Sequence, residues 1–348
     1  MLGLTDSILE QIIVHKVGNK SRDENIYVSP TTLDLDDGVK ELLHKYFLSG
    51  FKSTEYYTLY DKSNDVNENV VFQFVSQLFN NPSQIATVSG SLARHLYNCS
   101  DSPKVREGDF FVTYIRECIV DGEVADAIGF FKSESKETFL KVYSKEGSMT
   151  VENDEGVNIS KLDKGCLVFN LEREKGFLVS FPDGMAKNEE TQIWKDDFLH
   201  VRQREDNYFH TQNVIKMCKE FVTEKLPEHF DVSKADQADI LNKSVAFFKD
   251  NEEFTFTEFA QEVMEQPEII DTFNNYKSQY EAEHEIEIAD DFDISENAVK
   301  KQAKDLKSVI KLDKNFHIYV HGDRKFIKKG QDETTGLNYY QIYFNEEQ

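Results

Sequence analysis

Cysteine is scarce in this sequence. Cys99, Cys118, Cys166 and Cys218 are spread over 348 positions, and no two have the C-x-x-C spacing of a metal or redox site. A chain this long and this poor in cysteine is not a disulfide scaffold, so four reduced thiols, mostly buried, are expected. Proline and glycine are also few, at 6 and 16. That excludes collagen-like and linker-like chains. No apolar run approaches the ~18 residues of a membrane span, and the first ten residues lack a basic segment ahead of an apolar one. A cytoplasmic protein with no membrane partner is expected.

Positive charge is in deficit. There are 40 basic and 64 acidic residues, for a net charge of −24. The chain cannot coat DNA as a polycation. Any contact with nucleic acid must run through a local basic patch, or through a protein already bound there.

Signatures of catalysis are missing as well. There is no G-x-S-x-G elbow, no complete phosphate-binding loop and no H-E-x-x-H pair. Gly18-Asn19-Lys20-Ser21 has only the tail of a phosphate loop. His317 and His321 have the spacing of two helical zinc ligands, but the segment reads as a strand. On a strand, four residues separate the rings by roughly 13 Å, too far for one ion. Asp291-Phe292-Asp293-Ile294-Ser295 opens like a calcium loop, yet Glu296 and Gln302 stand where the glycine and the bidentate glutamate belong. The expectation is a protein with no metal site, no cofactor and no catalytic residue.

What remains is a globular chain. Apolar residues make up 39%, with 27 Phe and 15 Tyr among them, enough for a substantial core. The length suggests about two domains. In the first half, residues 8–17 read as a strand. Residues 36–49 read as a helix, with Val39, Leu42, Leu43, Tyr46 and Phe47 on one face. Helices are also predicted over 70–78 and 83–98. From Asp109 the pattern changes to short apolar runs, 110–120, 124–131, 139–143, 165–171 and 176–181, which predict an antiparallel meander. The polar stretch 144–163 reads as a long surface hairpin or loop. Helices then dominate. One carries Val214, Met217, Cys218, Phe221 and Val222, and a second is capped by Ser233. A third starts at Thr255, with Glu258 closing a capping box and Phe254 stapled to Phe259. A fourth spans 268–281, and a fifth follows Ser295. Three short strands, 316–320, 324–329 and 337–344, end the chain. The fold class is α+β. A mixed half with an antiparallel sheet, residues 1–205, precedes a helical half, residues 206–348, that ends in a small antiparallel sheet.

Charge is segregated along the chain. Residues 250–296 hold sixteen acids against Lys277, a net −15. Residues 300–329 hold ten bases and three acids, a net +7. If the fifth helix runs on through Ile310, Val299, Ala303, Leu306 and Ile310 face the core. Lys300, Lys304, Lys307 and Lys311 then form a ridge about 100° around the helix and roughly 16 Å long. A phosphate backbone or an acidic protein surface fits such a ridge. The bland alternative is a solvated lysine face paired with the acidic segment before it. Arg324, Lys325, Lys328 and Lys329 extend the basic set.

The chain also resembles a known family. The resemblance is carried by Ile12-Ile13-Val14-His15-Lys16-Val17, by 108–115 running on through 124–129, and by the end of the chain. There it covers 254–259, Ile318, the turn at Gly322-Asp323-Arg324, and Tyr340-Gln341-Ile342. Together with element order and length, these are similar to the NdpA family of bacterial nucleoid-associated proteins. That resemblance implies a cytoplasmic component of the bacterial nucleoid whose partners are DNA or DNA-acting proteins. It implies no site map. Direct DNA binding, made through a ridge that offers only lysine, is expected to be weak and sequence-tolerant. The candidate nucleic-acid contacts are the eight basic residues named above. The rival reading is an acidic adaptor or DNA mimic that occupies a nucleic-acid enzyme.

Overall fold

The computed structural model describes residues 2–185, 188–302, 309–320 and 326–346. Two compact units divide the chain, Met1–Arg204 and Glu205–Gln348.

The first unit contains β1 (Leu2–Gly3), β2 (Ile8–Val17), β3 (Ile26–Tyr27), α1 (Asp37–Leu48), β4 (Tyr56–Leu59), α2 (Val70–Asn80) and α3 (Ile85–Asn98). It continues with β5 (Gly108–Val120), β6 (Glu123–Ser133), β7 (Lys136–Lys145), β8 (Ser148–Val157), β9 (Lys164–Phe169), β10 (Leu178–Ser180), α4 (Glu189–Gln192) and β11 (Val201–Gln203). One antiparallel sheet organises it, in the order β11-β4-β10-β9-β6-β5-β2-β3, with β1 also paired to β5. Strand alternation divides its side chains between two cores. Phe110, Val112, Ile128, Phe130, Cys166 and Val168 face one core, which α2 and α3 cover. Ala127, Phe131, Leu167 and Phe169 face the other, where α1 delivers Tyr46, Phe47 and Leu48. Phe47 stacks on Phe131 with ring centroids 4.3 Å apart. Burial on both faces explains why these strands read as continuous apolar runs.

Two features depart from the sequence reading. Residues 139–143 form a strand, but it leaves the sheet. β7 pairs with β8, drawn from the polar stretch that reads as a surface hairpin or loop, as a separate two-stranded ribbon. Glu146 and Gly147, both at positive φ, make the two-residue turn that matches strand twist. On α1, Val39 and Leu42 are exposed, and burial begins only at Tyr46. The unit also contains a π-helical segment over 193–199 that buries Trp194, Phe198 and Leu199.

His15 is a buried titratable group in this sheet. Its Nδ1 accepts the Ser29 amide at 3.1 Å. The neutral ring therefore carries its proton on Nε2. Burial first, and the charge of Arg94 second, lower its pKa from 6.5 to about 4. The unfolded chain thus takes up a proton as pH falls below 6.5, while the folded protein resists until about 4. Stability present above pH 6.5 is lost across that window, by up to roughly 3 kcal/mol. His15→Asn keeps an acceptor for Ser29 but cannot titrate. Denaturant unfolding at several pH values should give this variant a shallower acid slope than the parent. Equal slopes would remove His15 from the account.

The second unit contains α5 (Asn207–Glu220), α6 (Leu226–His229), α7 (Lys234–Asp250), β12 (Glu253–Thr255), α8 (Phe256–Met264), α9 (Pro267–His284), β13 (Asp291–Asp293) and α10 (Glu296–Gln302). Four strands follow, β14 (Val309–Leu312), β15 (Phe316–Tyr319), β16 (Ile327–Gln331) and β17 (Asn338–Ile342). Ser233 and Asp236 form a reciprocal capping box at α7. The box expected at α8 is not made. Thr255 has no side-chain cap bond, because it serves as the last residue of β12, paired to Asp291. The staple does form, with the Phe254 and Phe259 rings 5.3 Å apart. The segment that opened like a calcium loop begins as β13, Asp291–Asp293. Of the cysteines, Cys118, Cys166 and Cys218 are buried, Cys99 is half-buried, and none is bridged.

Candidate nucleic-acid interface

The chain's ending decides where its cations stand. The helix after Ser295 is described over Glu296–Gln302. Ala298, Val299 and Gln302 turn inward, and Gln302 Nε2 donates to Gln212 Oε1 at 3.0 Å in a buried contact. Lys300 stays in solvent, with its ammonium 2.8 Å from Glu296. Residues 309–312, expected as the helix's last turn, are a strand instead. β14 pairs with β15 in the register Ile310↔Ile318 and Lys311↔His317. A three-residue loop with Asp313 at positive φ joins them.

This corrects the ridge. Lys300 lies on a helix and Lys311 on a strand, so the two do not share a helical face. The apolar spacing misled because Ile310 satisfies both periods. It falls on the helical stripe, and it also starts an inward-facing alternation with Leu312. The β-branched pair Val309-Ile310 and a waiting partner strand favour the second. Lys304, Lys307, Arg324 and Lys325 lie outside the described residues, as does His321.

The ribbons β14–β15 and β16–β17 share one small core. Ile310, Val320 and Ile327 pack there with Ala235 and Ala238 of α7. Asn242 of α7 donates to the Val320 carbonyl at 3.2 Å. With those residues facing inward, alternation sends Lys311, His317 and Tyr319 to the outer face of β14–β15. On β16, Lys328 takes the side opposite Ile327, and Lys329 takes the same side as Ile327. Both lysines are exposed, but they do not form one row. Lys328 Nζ sits 5.5 Å from the centroid of the Tyr343 ring.

The sequence reading missed the aromatic component. Phe316, Tyr319, Tyr339, Tyr343 and Phe344 are exposed large rings on or beside the ribbons that carry the lysines. Their signal was present in the sequence as aromatics interleaved with bases over 311–344. Lysine supplies a point charge for a phosphate, and an exposed ring supplies a face on which a base can stack. Neither reads base edges in the way a bidentate arginine or asparagine does. Among the described residues, no group of three or more His, Cys, Asp or Glu is placed to hold a metal ion. No described helix is long and apolar enough to cross a membrane.

A family model described as nucleoid-associated protein YejK matches residues 13–338. No curated protein matches the chain.

Proposed function

The chain belongs to the nucleoid-associated protein YejK family, and from that membership we propose that it binds DNA directly, without catalysis, through its C-terminal ribbons. The observation that carries this reading is the placement of Lys311 and Tyr319 on the outer face of one ribbon and of Lys328 beside Tyr343 on the next. In a protein with a net charge of −24, a local group of exposed lysines is where a polyanion gains most. Lysine contacts to phosphate make the binding weak and sequence-tolerant. Contact with three or four phosphates gives a slope of log affinity on log salt of about −3 to −4. A fluorescence-anisotropy titration of duplexes of unrelated sequence, at several salt concentrations with Mg²⁺ present, tests this. The expected result is that slope, similar affinity for each duplex, and DNA recovered intact. A flat salt dependence, preference for one short site, or cleavage that follows the protein through purification would sink the reading.

A second reading rests on the acidic segment. Glu283, Glu285, Glu287, Asp290, Asp291 and Asp293 are all exposed between the end of α9 and β13. Such a surface suits a basic protein that itself binds DNA. It predicts no DNA binding in the titration, and competition by DNA for the protein's partner.

A further inference from the structure

The β7–β8 ribbon has no role in the function proposed above. It is inserted between β6 and β9, neighbours in the main sheet. Each of its strands is 10 residues long, so it reaches about 33 Å. Its base is fixed. Asp163 accepts the amides of Glu134 and Ser135 at 2.8 and 3.0 Å. Beyond the base it touches little, and every residue of β7 is exposed.

That exposure is unusual for its composition. Leu140, Val142, Met149 and Val151 share one face of the ribbon and are 68%, 61%, 71% and 60% exposed. A lone two-stranded ribbon is marginal in water, and three or more strands with an apolar face are needed for stability. Both long edges offer free backbone groups to another strand. The ribbon's own charge argues against DNA as the occupant. Residues 136–157 carry three bases and five acids, a net −2.

We propose that β7 is the edge through which two copies of this protein pair, antiparallel and centred on Lys141, to make a four-stranded sheet. This does not rest on the proposed DNA binding. The support is the self-complementarity of the strand in that register. Leu140 meets the partner's Val142, and Phe139 meets the partner's Tyr143. Glu137 meets the partner's Lys145, and Lys136 meets the partner's Glu146. Apolar thus faces apolar, and each acid faces a base. The one like-charged pair is Lys141 with its own copy. Each Lys141 is already held by Asp154 of its own chain, and Glu152 lies directly across from it on β8. β8 offers no equivalent edge. It holds three acids and no base, so it makes no cross-strand ion pair with its own copy in any register.

The register supplies its own test. A residue at the two-fold position lies opposite itself, at a Cα separation of about 4.5–5.5 Å, within disulfide range. Lys141→Cys should therefore cross-link to its copy under mild oxidation. Met149→Cys, equally exposed but on the far strand, serves as the control. The buried native Cys118, Cys166 and Cys218 give little background. In sedimentation the wild type should be dimeric at micromolar concentration. Glu137→Lys alone and Lys145→Glu alone should each weaken the dimer by about tenfold, and the two together should restore it. All these positions are exposed, so the variants should fold. A wild type that stays monomeric up to about 0.1 mM overturns the proposal. So does Lys141→Cys cross-linking no faster than Met149→Cys, or a dimer that neither single exchange weakens and the double exchange does not restore.

Discussion

Replacing Glu134 by alanine should lower the stability of the N-terminal unit by about 3–5 kcal/mol. The Glu134 side chain is fully buried at the foot of the ribbon. Its Oε1 lies 3.0 Å from the ammonium of Lys132 and also binds that of Lys164, and both lysines are buried. Lys132 makes one further bond, 2.6 Å to the carbonyl of Arg106. Lys164 has a longer contact, 3.4 Å to Glu190. Burial already pushes the Lys132 pKa down, and Glu134 pulls it back up. Without the carboxylate, two ammonium groups stay out of water with too little to hold them. The cost comes from leaving charge unpaired, because a buried ion pair itself adds little over apolar packing.

Two consequences separate this account from a simple packing defect. Loss of Glu134 drives the Lys132 pKa lower in the folded state. The unfolded chain then binds more protons over the alkaline range, so the variant's stability rises with pH there. A cavity alone would give no such recovery. Replacing Lys132, Glu134 and Lys164 together by Met, Leu and Met should restore much of the loss. Thermal unfolding reads both effects. A drop of roughly 6–20 °C is expected for Glu134→Ala in a unit of this size. A drop under about 2 °C at neutral pH, or a triple variant no better than the single one, would show the cluster to be well solvated.

The sequence revealed most where one period ruled alone. Residues 8–17 appear as β2 over those same positions, and 36–49 as α1 over Asp37–Leu48. The meander was legible because its strands are buried on both faces and so run as unbroken apolar stretches. Its one intruder, 139–143, has the same composition but a different fate. Nothing within those residues says that their partner lies in the polar stretch after them, since β8 alternates Met149 and Val151 with Ser148, Thr150 and Glu152. The π-helical segment and the short β4, β11, β12 and β13 were not legible. A strand of three or four residues is held by its neighbours and carries too few residues to show a period of its own. The basic site was half legible. Its charge reversal at Lys300 is plain in the sequence, but its geometry turned on residues 309–312, where helix and strand both bury Ile310. The family was legible from the order of elements, and the match over 13–338 covers almost all of that order.

The other large effect concerns the ribbons themselves. Exchanging Lys311, Lys328 and Lys329 for glutamine together should reduce DNA affinity on the order of a hundredfold at 0.1 M salt, and make the log–log salt slope shallower by about 2. The reasoning follows the counterions. Each phosphate contact that a lysine makes releases about 0.9 of a condensed cation, and that release is worth most when bulk salt is low. Because Lys328 and Lys329 face opposite sides of β16, they cannot both lie on one straight backbone path. Splitting the variant therefore carries information. If DNA runs over the outer faces, Lys311→Gln and Lys328→Gln should each cost affinity, and Lys329→Gln should cost little. Tyr319→Ala should then weaken single-stranded DNA more than duplex, because only an unpaired base can stack on the ring. None of these exposed substitutions should alter the melting temperature appreciably. Equal salt slopes for the triple variant and the parent would exclude the described ribbons as the DNA-binding surface. Loss at Lys329 with none at Lys311 would place the DNA on the other side of β16, against the rings' opposite face.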